Sequence, residues 1–222
     1  MTMKTALKRP ALLGVAALAL LAGCGNAPGI VDVKDVMRTT FSGSKKEAPQ
    51  QVNVAAALQT TPAPLMLVVL EKTKAQSPIV EIERNGAYRT YVTPSRQTMT
   101  LRQGVVTATR GLSNDMMSSD IDATLRLLSA RQPGQTRRVM RYLDGEEQIV
   151  ALSFDCQMSV GGSEKVAMGE VSAQTRVMTE SCQGEGLSFT NTYKVDGSGT
   201  VLSSRQWLNP TVEMATIQVL RR

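Results

Sequence analysis

The 222-residue chain carries 25 Lys and Arg against 19 Asp and Glu, a formal charge of +6, and contains no histidine. The missing imidazole removes the commonest general base and the commonest metal ligand together, so any catalysis would rest on carboxylates, lysine or hydroxyls. The positive excess is too mild and too dispersed to suggest a nucleic-acid partner.

Lys4, Lys8 and Arg9 lead into an apolar or small stretch, residues 11–22, which ends in Leu21-Ala22-Gly23-Cys24. A basic start, an apolar run too short for a permanent span and small residues before a cut follow the order of a bacterial lipoprotein signal. Residues 1–23 are expected to be removed, with Cys24 acylated and left as the first residue of the mature protein. A cleavable secretory signal with a chance cysteine, or a soluble chain with an apolar start, is the alternative. One acyl chain holds a bilayer only marginally, at about 10⁴ M⁻¹, whereas the three of a mature lipoprotein hold it permanently. Gly25 in the second mature position, where aspartate would signal retention in enteric bacteria, points to the periplasmic face of the outer membrane. The mature 199 residues keep 22 basic and 19 acidic side chains, enough chain for one large domain.

Once Cys24 is lipidated, Cys156 and Cys182 form an even pair in an oxidising compartment. A structural disulfide is expected, contributing roughly 3.5 kcal/mol for a loop of about 27 residues. Two separate buried thiols are the alternative. The spacing is unlike Cys-x-x-Cys, which argues against redox catalysis.

Residues 24–64 read as a tether, a short amphipathic helix over 30–41 and a linker with a turn or two of helix near 52–58. The body is expected over 65–222. Residues 65–70 form a strand-length apolar run, and residues 79–83 and 88–92 flank Asn85-Gly86, a strong hairpin signal. Residues 98–102 and 105–109 alternate around Gln103-Gly104. Residues 115–131 read as a helix, with Ser119 or Asp120 capping it and Ile121, Leu125 and Leu128 on one stripe. Strands follow at 139–143, 148–158, 167–180, 187–195, 200–207 and 213–220, separated by turn residues that include Gly161-Gly162. The expectation is a mainly β body: about ten antiparallel strands in a meander that closes into a barrel-like or curled sandwich form, with one helical excursion.

Asn85-Gly86, the block from Thr98 to Leu112 containing Thr109-Arg110-Gly111-Leu112, and Asp115-Met116-Met117 resemble the hallmark of the YjbF/GfcB family of capsule and exopolysaccharide lipoproteins. So do Asp155-Cys156, Thr179-Glu180-Ser181-Cys182, Phe189-Thr190-Asn191-Thr192-Tyr193, Gly199, and the block Ser203-Ser204-Arg205-Gln206-Trp207-Leu208-Asn209-Pro210. The likeness covers roughly residues 65–222. It implies a β-barrel-like body with an accessory role in glycan export, partnered by an outer-membrane exporter or companion periplasmic proteins. It implies no settled enzymatic reaction.

Arg110 could fork onto Asp115 or a partner carboxylate, either as a structural bond or in glycan binding. Arg205 and Trp207, two apart on one strand, would suit an acidic sugar by pairing and stacking; core packing is the competing role for the indole. Asp115, Asp120, Asp122 and Glu146-Glu147 read as solvated acids, since a glycosidase needs two carboxylates roughly 5 to 9.5 Å apart across a cleft. No metal-binding or cofactor motif is present. The reading is therefore a non-catalytic binding factor in polysaccharide secretion. A carrier of an apolar or lipid-linked ligand, which twelve methionines would tolerate, is the first alternative; a glycan hydrolase is the second.

Overall fold

The computed structural model describes residues 51–146 and 148–222, all within the unit Glu47–Arg222. The signal, Cys24 and the helix expected over 30–41 lie outside the described residues, as does Glu147.

A short helix, α1 (Val54–Thr60), comes first, where Asn53 Oδ1 accepts a hydrogen bond from the Ala56 amide at 3.0 Å and so caps its first turn. Strands β1 (Leu65–Leu70), β2 (Ala75–Asn85), β3 (Tyr88–Val92), β4 (Thr98–Arg102), β5 (Val105–Arg110) and β6 (Met116–Asp120) follow, then helix α2 (Asp122–Ala130). The chain continues through β7 (Gly134–Leu143), β8 (Ile149–Met168), β9 (Val171–Gly184), β10 (Leu187–Asp196), β11 (Val201–Asn209) and β12 (Glu213–Arg221). All twelve strands join one antiparallel sheet in the order β5-β4-β3-β2-β1-β12-β11-β10-β9-β8-β7-β6, a nearly closed barrel. The first and last strands pair with each other, Val68 opposite Ile217. The two edges of the sheet are therefore β5 and β6, which are neighbours in the chain. The barrel's seam lies mid-sequence.

The mainly antiparallel meander and its barrel form agree with the sequence. Three details differ. Residues 116–120, expected as the start of a helix, are strand β6, held by pairing with β7, Met116 opposite Tyr142 and Asp120 opposite Val139. Helix α2 is correspondingly shorter; Ile121 occupies its N-cap without a side-chain bond, so neither Ser119 nor Asp120 caps it. Gly161-Gly162 is not a turn: β8 runs through it with a bulge between Val160 and Ser163, and the hairpin turns instead at Gly169-Glu170. The glycine pair bends the strand while its ladder with β9 persists on both sides. Beyond the bend, the Gly169-Glu170 tip reaches β12, where the Glu170 amide donates to the Leu220 carbonyl at 2.8 Å. The β2–β3 loop is likewise shifted by one residue: Asn85 pairs with Tyr88, leaving Gly86 (φ 55°) and Ala87 as the loop.

Inward positions fill the barrel. Met66, Val68, Ile79, Tyr91, Met99, Leu101, Ile217 and Val219 pack on one side. The α2 stripe of Ile121, Leu125 and Leu128 packs against Met158, Met178 and Tyr193. Met116, Met140, Tyr142, Phe154, Phe189 and Trp207 surround the Cys156–Cys182 disulfide, which joins directly opposed residues of β8 and β9.

The tight approach of β9 to β8 near this cluster gives a test. A Cβ on Gly184 would stand 2.0 Å from the Ser153 carbonyl oxygen and 3.0 Å from the Phe154 Cα, both backbone atoms. Gly184→Ala is expected to lose about 1–3 kcal/mol or more in denaturant unfolding. Gly145→Ala, with nothing within 4 Å, is expected to unfold like the wild type.

Candidate functional site

The inward face of β9 carries Met178, Glu180 and Cys182, so an acid takes the place where an apolar side chain would fit. Its partner is Arg138, inward on β7 in phase with Met140 and Tyr142. Arg138 Nη1 donates to Glu180 Oε2 at 2.8 Å, and both side chains are essentially sealed from water, at 2% and 0% exposure. The carboxylate is saturated: Thr124 from α2 donates to Oε1 at 2.8 Å, and Asn191 Nδ2 and the Tyr193 hydroxyl donate to Oε2 at 2.9 Å each. Burial opposes ionisation of Glu180, but the Arg138 charge and these donors outweigh it and hold the carboxyl below its ordinary range. Burial pushes the Tyr193 hydroxyl far above its usual range, and the Glu180 charge adds to this. The group is a fixed ion pair, fully packed and closed to a substrate. Sequence reasoning missed it; the available signal was a charge in phase with the apolar positions of a buried strand.

A second polar group closes the seam. Asp115 Oδ1 accepts from the Thr109 hydroxyl and the Leu112 amide, both at 3.0 Å, and Oδ2 accepts from the Gly111 amide at 2.6 Å. The same Thr109 hydroxyl accepts from the Met116 amide at 3.0 Å. Arg110 does not fork onto Asp115. Its Nη1 donates to the Thr109 and Met116 carbonyls at 2.5 and 3.0 Å, stitching β5 to β6. From β11, Gln206 Oε1 accepts from the Val106 amide at 3.0 Å while its Nε2 donates to the Gly104 carbonyl at 2.9 Å. Asn209 Nδ2 donates to the carbonyls of Ser113 and Asn114, at 3.0 and 2.9 Å.

Arg205 and Trp207 do not share a face. Arg205 is exposed and forks onto Glu71, with Nε–Oε1 2.9 Å and Nη2–Oε2 2.8 Å. Chiefly through that bond, the Glu71 carboxyl is held below its ordinary range. Trp207 is buried, stacked on Phe189 at 4.7 Å and edge-on to Phe154 at 5.8 Å. The physical reason is a broken alternation: all of residues 206–209 are buried, and the Trp207 amide donates to the Asn191 side chain at 2.8 Å. Of the other acids, Asp120 is forked by Arg141 at 3.1 Å and Asp122 is bound by Arg102. Glu146 stands exposed in the β7–β8 turn.

The family model described as "Group 4 capsule polysaccharide lipoprotein gfcB, YjbF" matches residues 34–220. The chain belongs to the YjbF family. No curated protein matches it in sequence at a significant level. The fold is similar to the crystal structure of the hypothetical lipoprotein YmcC from Escherichia coli K12, with a TM-score of 0.66 at 15% identity over 88% of this chain and 98% of that one. The blocks that carry the YjbF likeness supply Thr109, Arg110 and Asp115 at the seam, Glu180, Asn191 and Tyr193 in the buried network, Gln206 bridging β11 to β5, and Asn209 bridging β11 to the β5–β6 connection. They are residues of closure and packing.

Removing Arg138 alone leaves the Glu180 charge buried without its partner. Arg138→Met is expected to lose about 3–5 kcal/mol, and Arg138→Met with Glu180→Leu to recover most of that. Because the folded carboxyl lies below its unfolded value near 4.5, its contribution is complete above that pH and is lost as the pH falls through the lowered value. Urea unfolding between pH 7 and pH 3 should show this acid-side loss in the wild type and less of it in the double variant.

Proposed function

We propose that this YjbF-family protein is a non-catalytic accessory factor in capsule or exopolysaccharide secretion, anchored by acylated Cys24 to the periplasmic face of the outer membrane. It acts there by contact, with an outer-membrane exporter, companion periplasmic proteins or the nascent glycan. The observation that carries this reading is the family match over residues 34–220. The lipoprotein-type order of Lys4, Lys8, Arg9, the apolar run and Cys24 supports the location.

Two features favour contact over turnover. The acids clustered before and at the start of α2, Asp115, Asp120 and Asp122, are each held by the protein's own donors. The buried Glu180 is saturated as well. A lipid carrier is not favoured: the apolar cleft beside Val68, Leu70, Ile79, Met99 and Leu112 measures about 50 Å³, far below the ~300–1,000 Å³ of small-ligand sites, and the roomier recess beside Met66 and Leu101 is lined also by Arg89, Arg221 and Arg222.

Deleting the gene is expected to reduce surface polysaccharide and leave glycan behind the outer membrane, and the full-length chain to restore export. Cys24→Ala, made at wild-type level, is expected to leave the membrane fraction and fail to restore it. Surface and periplasmic polysaccharide assays with cell fractionation check this; full export by the unanchored variant would show that anchoring is dispensable.

A further inference from the structure

At the end of the barrel formed by the β2–β3, β4–β5 and β10–β11 turns and the end of β12, a recess of about 400 Å³ opens. Its floor is apolar and tightly packed: Met66, Leu101, Leu202 and Val219 are each no more than 8% exposed, and the space beneath them is closed to a water molecule. Its charged lining is only arginine: Arg89, Arg221 and Arg222, with no Asp or Glu.

The arginines differ in what they have left to offer. Arg221 is fully engaged, by Glu170 and by the Thr61 and Leu58 carbonyls, and forms wall. Arg89 lies in phase with buried Tyr91 on β3 and is held by one bond only, Nη1 to Glu81 Oε2 at 3.1 Å. Glu81 is itself fixed by the Arg84 fork at 3.0 and 2.8 Å and by the Tyr91 hydroxyl at 3.3 Å, so the carboxylate behind Arg89 is a rigid mount. Arg222 uses Nη2 on Asp196 at 2.7 Å. Among the described residues, the remaining donors of Arg89 and Arg222 have no partner. Glu81, Glu170 and Asp196 stand behind the recess, each already bonded to arginine, so these acids orient the guanidiniums without lining the space.

We propose that this recess binds an acidic sugar residue at the end of a glycan chain or branch. The carboxylate takes the open donors of Arg89 and Arg222, where planar guanidinium matches planar carboxylate, and a C–H face of the ring lies on the Met66, Leu101 and Val219 floor. The volume is that of a small-ligand site and admits about one or two sugar units, and the blind floor favours a chain end over a mid-chain segment. The inference rests on the export role proposed above and assigns it a contact site.

The full-length lipoprotein in nonionic detergent, titrated calorimetrically with trigalacturonate and with neutral maltotriose, tests it. The acidic trimer is expected to bind at least tenfold more tightly than maltotriose and to weaken with salt. Arg89→Gln with Arg222→Gln is expected to raise its Kd at least tenfold. Ala87→Glu, which adds an anion at the exposed rim and leaves every arginine in place, should do the same in a protein with wild-type unfolding. Equal affinity for both trimers, absence of binding, or wild-type affinity in a folded Ala87→Glu variant overturns the proposal. In cells, full export by the double variant where the deletion loses it would reject the recess and leave the accessory role standing; a deletion without any export defect would reject the role itself.

Discussion

A twelve-stranded antiparallel sheet has two edges, and everything in this molecule depends on how they are brought together. Unpaired edge amides and carbonyls inside a body cost free energy unless they find partners, and exposed ones invite pairing with other chains. Pairing β1 with β12 removes the edges that the body's ends would present and moves the open seam to β5 and β6. Side chains complete the closure there: Asp115 collects three donors, Arg110 bonds carbonyls of both segments, and Gln206 serves as acceptor and donor to β5 from the opposite wall. A regular ladder would need the two strands to lie flat beside each other; the side-chain bonds let a tight turn and a bulged β5 meet instead.

Inside the closed wall, the Arg138–Glu180 pair does for the interior what Asp115 does for the seam. It links α2 through Thr124, β7 through Arg138, β9 through Glu180 and β10 through Asn191 and Tyr193. Apolar packing alone would tolerate small slips between these elements, whereas a saturated carboxylate has one arrangement that leaves no charge bare. With seam and interior committed to structure, the surfaces left for recognition are the barrel ends and the outer face. That division fits a protein that acts by contact.

The strands were legible because alternation and turn residues are local signals, and so were the α2 stripe and the cysteine pair. Met116 to Asp120 was misread because its polar residues look like a helix start, while its strand state comes from pairing with β7, about twenty residues away. Gly161-Gly162 reads as a turn in one dimension; only the continuing ladder with β9 shows it to be a bend. A period of two puts Trp207 and Arg205 on one face, but the alternation fails where residues 206–209 are all buried and the Trp207 amide bonds the Asn191 side chain. The buried pair escaped because Arg138 and Glu180 are forty-two residues apart: each stands in phase with the apolar positions of its own strand, but that local pattern does not show which charge meets which.

Amide hydrogen exchange at Val106, Gly111, Leu112 and Met116 addresses the closure most directly, because these are the amides bonded by Gln206, Asp115 and Thr109. They should exchange as slowly as amides in the β1–β12 ladder, opening only with global unfolding. Exchange at the rate of an unprotected strand edge would mean that the barrel is open along β5 and β6 and that its closure is not what organises the fold.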